Sequence, residues 1–240
     1  MSVPATPPGT SRSGPVRCLV GLTLALVVLS LAAAGLYAVR ADQVGTFAFR
    51  FLVKNLLLAW VPFGLALGVA AVHCRRGSRL LLGVLAAGWL VFLPNAPYIV
   101  TDVVHLRPRT GVPLWFDVAV FGTFATAGFA LGLASLLVVH QVVEARAGRA
   151  SGWAVAIGSL VLSAVGIYLG RVLRFNSWNV VTDPQRLVLV ASRRLADPLG
   201  NLFLLQFGLA MSAVLVTSYV MTWVLAGALL KPVRGLSTHV

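Results

Sequence analysis

Cys18 to Val39 is a run of 22 residues without a charged side chain, about 33 Å long as a helix. Such a run fits poorly in a small soluble core but matches the roughly 20 apolar residues that cross a bilayer. Comparable runs lie at approximately 55–73, 118–139, 152–170 and 202–230. The remaining one is broken: Leu80 to Leu93 supplies 14 residues, about 21 Å as a helix, before Pro94-Asn95-Ala96-Pro97 interrupts it. A crossing there must continue through the break to about residue 100. The expected fold is all-α, a polytopic transmembrane bundle with six spans at 18–39, 55–73, 80–100, 118–139, 152–170 and 202–230. Composition agrees, since 59% of residues are hydrophobic and 10% charged, against about 25% charged in soluble domains.

Residues 1–16, rich in Pro, Ser, Thr and Gly, read as a disordered tail, 17–231 as one transmembrane domain and 232–240 as a C-terminal tail. The first run is longer than a usual signal-peptide core, although Ala32-Ala33-Ala34 leaves cleavage open. Cys18 and Cys74 have no metal-like spacing and indicate no disulfide framework. Gly64/Gly68, Gly128/Gly132 and Gly166/Gly170 place small residues one turn apart on three spans, which predicts close helix packing.

The formal charge of +13 would suggest nucleic acid in a soluble chain. In a membrane protein, basic loops that fix topology and meet anionic lipid explain it better, so the partner is the lipid bilayer and no nucleic acid is expected. The tail, second loop, fourth loop and C-terminus hold nine Lys/Arg and the opposite side ten. Arg75, Arg76 and Arg79 crowd one short turn, which favours both termini in the cytoplasm of a cell (inner or plasma) membrane.

Alternate loops share a side, so the first, third and fifth connections face one another whatever the orientation. That surface carries five of the six acids: Asp42, Asp102, Asp117, Asp183 and Asp197. The Pro94–Tyr98 break frees backbone carbonyls and the Asn95 amide near membrane depth, where they require protein or a wet cavity. Asp102 and His105, at i and i+3, share a face of a continuing helix. An acid beside an imidazole orients a general base, and it equally finishes a helix end. Asp117 either caps the fourth span or faces inward with Arg171 and Arg174 as its prospective partners. Arginine forks suit phosphate or carboxylate, and Tyr168, Phe175 and Trp178 suit a lipid interface, so an anionic lipid head group fits. Residues 185–197 read as a surface amphipathic helix. A metal centre is disfavoured, because His140 lies about 35 Å along a helix from Asp117 and His73 shares its side. No phosphate loop, hydrolase elbow or dinucleotide fingerprint occurs, and no cofactor is expected.

The strings PNAPYIVTDVVHL (Pro94–Leu106), PLWFD (Pro113–Asp117) and GIYLGRVLRFNSWNVVTDP (Gly166–Pro184) resemble a bacterial membrane family catalogued as domain of unknown function 1361. Arg50 to Pro62 is also similar, and the resemblance spans approximately Phe47 to Thr222. It implies a multi-pass membrane protein and supplies no substrate. It suggests a signature surface of Asn95, Tyr98, Asp102, His105, Asp117, Arg171, Arg174, Asn176 and Trp178. Asn179 stands where the family pattern leads one to expect an acid, which puts any role for a carboxylate there in doubt.

Three functions are compatible with these residues. One is a polar pocket at one membrane face that binds or processes an anionic or lipid-linked substrate, with His105 and Asp102 catalytic and Asn95, Tyr98, Asp117, Arg171, Arg174, Asn176 and Trp178 binding. A small permease or channel is the second, weakened by the lack of central charges in the first, second, fourth and fifth spans. A non-catalytic assembly subunit is the third.

Overall fold

The computed structural model describes residues 13–108, 111–173, 175, 182–196, 200 and 202–230. Its elements are α1 (Ser13–Val44), α2 (Arg50–Cys74), α3 (Arg79–Phe92), α4 (Asn95–Tyr98), a 3₁₀ segment (Ile99–His105), α5 (Leu114–Ala147), α6 (Arg149–Arg171), α7 (Pro184–Ala196) and α8 (Leu202–Leu230). Six helical stretches among the described residues are long and apolar enough to cross a membrane: Arg17–Val44, Arg50–Cys74, Arg79–His105, Leu114–Ala147, Arg149–Arg171 and Leu202–Gly227. The chain is a helical membrane protein. The helix beginning at Ser13 takes in residues expected in the N-terminal tail; Pro15 is tolerated because first-turn amides need no intrahelical acceptor.

α5 is the central post, packing against α1 and α2 on one side and α6 on the other, while α8 leans mainly on α6. Helical periodicity selects the buried faces. On α1 they are Leu26, Ala33, Tyr37 and Arg40, and on α2 Leu52, Leu56, Ala59, Phe63 and Ala66. Most remaining apolar side chains point outward, among them Leu31, Leu57, Val84 and Val214, as a bilayer-facing surface requires.

The third span bends rather than ends. Pro94 donates no backbone hydrogen bond, the Ala96 amide turns back to Leu93 O at 3.2 Å, and Asn95 Nδ2 donates to Phe92 O at 2.9 Å. The amide side chain thus satisfies a carbonyl exposed by the break. After Tyr98 the chain tightens into 3₁₀ geometry through His105.

Two of the three glycine pairs seat this bend. A Cβ on Gly128 would lie 2.6 Å from Ile99 Cδ1 and 2.9 Å from Ala96 O, and one on Gly132 3.0 Å from Ala96 Cβ. A Cβ on Gly166 would lie 2.7 Å from Pro94 Cγ, and one on Gly170 3.1 Å from Tyr98 Cε2. Helices α5 and α6 therefore grip the break through their glycine rows. The third pair differs: Gly64 has nothing within 4 Å, and a Cβ on Gly68 would meet Leu85 at an ordinary 3.4 Å.

α7 covers most of the predicted amphipathic stretch. Asp183 caps it, accepting from the Arg186 backbone amide at 3.3 Å, and Val188 and Leu189 are exposed.

Candidate functional site

The bend, α2 and the end of α6 enclose a cleft of about 770 Å³. α2 contributes Phe51, Lys54, Asn55 and Leu58, whose spacing of three, four and seven residues puts them on one face. The bend contributes Pro94, Asn95, Tyr98, Asp102 and His105, and α6 contributes Gly166, Leu169, Gly170 and Arg171, with Phe175 beyond it.

Asp102 is the polar centre. Its buried carboxylate accepts from Asn55 Nδ2 at 2.7 Å and from Arg171 Nη2 at 2.6 Å. Arg171 also donates from Nε and Nη2 to Thr101 Oγ1 at 3.0 and 2.6 Å, and that hydroxyl donates to Tyr98 O at 2.6 Å. The guanidinium lies 4.4 Å from the centre of the Tyr98 ring, an approach that Gly170 permits by having no side chain. Three spans thus meet on one carboxylate. A buried carboxylate is tolerated only with such partners.

His105 does not engage that carboxylate. Its Nδ1 lies 3.2 Å from the Asp102 backbone carbonyl, and its ring tilts against Phe51 at 5.1 Å between centroids. The 3₁₀ winding places the i and i+3 positions so that the ring meets main chain, while Asn55 and Arg171 occupy the acid. A carbonyl only accepts, so in this contact Nδ1 carries the proton, and neutral imidazole keeps an acceptor lone pair on Nε2.

Asp117 pairs elsewhere than expected. Arg40 Nε reaches its Oδ1 at 2.6 Å and Arg40 Nη2 its Oδ2 at 3.5 Å, both side chains being buried. Arg40 also lies 3.9 Å from the centre of the Phe49 ring. The partner is thus α1 rather than Arg171, because α1 packs on α5 while Arg171 is taken up by Asp102. Asp117 sits in the first turn of α5, where the helix dipole adds support, and lies outside the lining of the cleft.

Of the sequence-proposed site residues, the structure gathers Asn95, Tyr98, Asp102, His105 and Arg171 around the cleft and sets Asp117 in the neighbouring ion pair. Arg174, Asn176 and Trp178 lie outside the described residues. Tyr168, expected at a lipid interface, is buried against Phe203 and Phe207 instead, since its position on α6 faces α8. Sequence reasoning passed over Asn55, Thr101 and Lys54 as binding groups. Their signal was polar character inside or beside apolar runs. Among the described residues no three His, Cys, Asp or Glu side chains gather as metal ligands.

A model of the family described as "Protein of unknown function (DUF1361)" matches residues 54–224. The chain belongs to this family. The region matched to DUF1361 contains the cleft's lining except Phe51 and leaves Arg40 of α1 outside it. No curated protein and no solved structure matches this DUF1361 chain.

Proposed function

We propose that the cleft binds the anionic head of an amphiphile, a phosphate or carboxylate group carried on an apolar tail. The observation that carries this reading is the charge balance of the lining. Lys54 and Arg171 face a single acid, Asp102, so the cleft holds one surplus positive charge. Lys54 is exposed and has no ion-pair partner among the described residues. Leu58, Val91 and Leu169 supply apolar wall for the tail. Asp102 and Thr101 hold the Arg171 fork in place, so less of its rotamer freedom is lost on binding.

A proton-transfer role is the second reading, favoured by one observation: His105 lines the cleft and its Nδ1 is taken up by the Asp102 backbone carbonyl, which makes Nε2 the nitrogen to exchange a proton. In this version His105 moves the proton and Arg171 stabilises negative charge.

We infer further that the termini are cytoplasmic and the cleft faces outward, because Arg75, Arg76 and Arg79 crowd the turn between α2 and α3. In a Cys18→Ser, Cys74→Ser background, an impermeant thiol reagent on intact cells should label Thr110→Cys and spare Ala150→Cys. The reverse pattern would put the cleft in the cytoplasm.

Binding is tested by thermal unfolding in a neutral detergent with added dodecyl phosphate or an uncharged alkyl glucoside. A ligand at 100 times its dissociation constant stabilises by about 2.7 kcal/mol. The alkyl phosphate should raise the midpoint and the glucoside should not. Lys54→Gln combined with Arg171→Gln and Asp102→Asn, which removes the surplus charge without orphaning the acid, should abolish the rise. An equal rise in that variant would refute the reading.

A further inference from the structure

A second groove, about 700 Å³ in volume, lies on the other flank of α2, between it and the end of α1. It is lined by Tyr37 and Phe47 on one wall and by Arg50, Val53, Lys54, Leu57 and Leu58 on α2. We propose that this groove is a binding site for one acidic phospholipid of the surrounding leaflet, adjoining the polar cleft, with which it shares Lys54 and Leu58, and distinguished from it by Arg50.

Three observations point to that occupant. Arg50 and Lys54 stand one turn apart on α2, both exposed, and no carboxylate among the described residues pairs with either. Two adjacent cations at the end of a membrane span match a phosphate held at head-group depth. Secondly, Tyr37, only 9% exposed, forms a fixed wall of the groove, its ring held edge-on to Phe124 at 6.4 Å.

Thirdly, the surface below the cations is apolar and open. Leu57 is 65% exposed, and seven residues further along the same α2 face Gly64 has nothing within 4 Å. A free phosphate would leave this strip unused. A phospholipid covers it with an acyl chain while its phosphate meets Arg50 and Lys54. Arginine is suited to such a contact by its forked donors.

The test places a fluorophore on Gly64→Cys in a Cys18→Ser, Cys74→Ser background of the full chain, reconstituted in phosphatidylcholine vesicles. Quenching is compared for nitroxide-chain phosphatidylglycerol and nitroxide-chain phosphatidylcholine. The acidic lipid should quench at about fivefold lower mole fraction, the equivalent of one basic side chain acting on an anionic lipid at the surface. Arg50→Gln, which removes one of the two cations and no part of the polar cleft's lining, should bring the two lipids close to equality. Arg171→Gln combined with Asp102→Asn, which lies in the other cleft and strands no charge, should leave the preference intact, and millimolar inorganic phosphate should not displace the lipid. Equal quenching in the unmodified site, or an undiminished preference in Arg50→Gln, would overturn the proposal. Loss of preference in the Arg171→Gln, Asp102→Asn variant would assign the lipid to the polar cleft instead, and displacement by inorganic phosphate would reduce the groove to a free-anion site.

Discussion

Arg171 and Asp102, 69 positions apart in the chain, meet at 2.6 Å, with the carboxylate 2% exposed and the guanidinium-bearing side chain 17% exposed. One partner is sealed in the bundle and the other reaches the cleft. The pair therefore anchors a cation at a membrane face and joins the third span to the fifth.

Removing Arg171 alone should harm the fold more than neutralising the pair. Arg171→Gln leaves Asp102 charged and buried with Asn55 as its remaining donor, a loss of about 3 kcal/mol by analogy with broken buried pairs. The Arg171→Gln, Asp102→Asn variant should recover at least half of that. A double-mutant cycle on unfolding midpoints in detergent, with Asp102→Asn as the other single variant, measures the coupling, and a double-variant loss equal to the sum of the two single losses would show that the pair is not coupled.

Arg40 and Asp117 make the corresponding link between the first and fourth spans. Asp117→Ala strands a guanidinium whose Nη1 already has no partner among the described residues and should cost about 3–5 kcal/mol. Arg40→Met with Asp117→Leu should cost less than either single substitution. If the double variant is the worst of the three, the pair contributes more than relief of desolvation.

The glycine rows divide by what they touch. Gly166→Ala and Gly128→Ala must displace Pro94, Ile99 or the Ala96 carbonyl and should destabilise by about 1–3 kcal/mol. Gly64→Ala enters open space and should be neutral or slightly stabilising through helix propensity. Thermal midpoints of the three variants in one detergent compare them directly.

On the termini side of the bundle, His140 is fully buried, bonded through Nδ1 to the Tyr219 hydroxyl at 2.6 Å and stacked on Trp223 at 4.4 Å. Tyr219→Phe removes the partner of Nδ1 and should destabilise by about 1–3 kcal/mol. Pairing it with His140→Phe should recover part of the loss, because no imidazole is then left unsatisfied. Failure of the second substitution to recover anything would point to ring shape rather than hydrogen bonding.

How far these relationships could be read beforehand depends on dimension. Apolar run length announces a span along the chain, so all six were legible, including the one that continues through Pro94. Parity placed Arg40, Asp102, Asp117 and Arg171 at one membrane face, but parity says nothing of angular position around the bundle. Asp117 was therefore left open between a helix cap and a pairing with Arg171 and Arg174, whereas α1 packing on α5 delivers Arg40. The Asp102–His105 spacing indicated a shared helical face, and the 3₁₀ winding turned the imidazole to main chain instead. Glycine spacing announced close packing without revealing that the Pro94–Tyr98 bend is what two of the rows enclose.

The central claim is that the cleft beside Arg171 receives the anionic head of an amphiphile, and its most direct measurement is photocrosslinking. An alkyl phosphate with a diazirine next to the phosphate is irradiated with the full-length protein in neutral detergent, and adducts are mapped by peptide mass spectrometry. The account predicts adducts concentrated on Phe51–Leu58 and Pro94–His105, competed by unlabelled alkyl phosphate and lost in the Lys54→Gln, Arg171→Gln, Asp102→Asn variant. Adducts spread evenly over outward-facing residues such as Leu31, Val84 and Val214, unchanged in that variant, would contradict it.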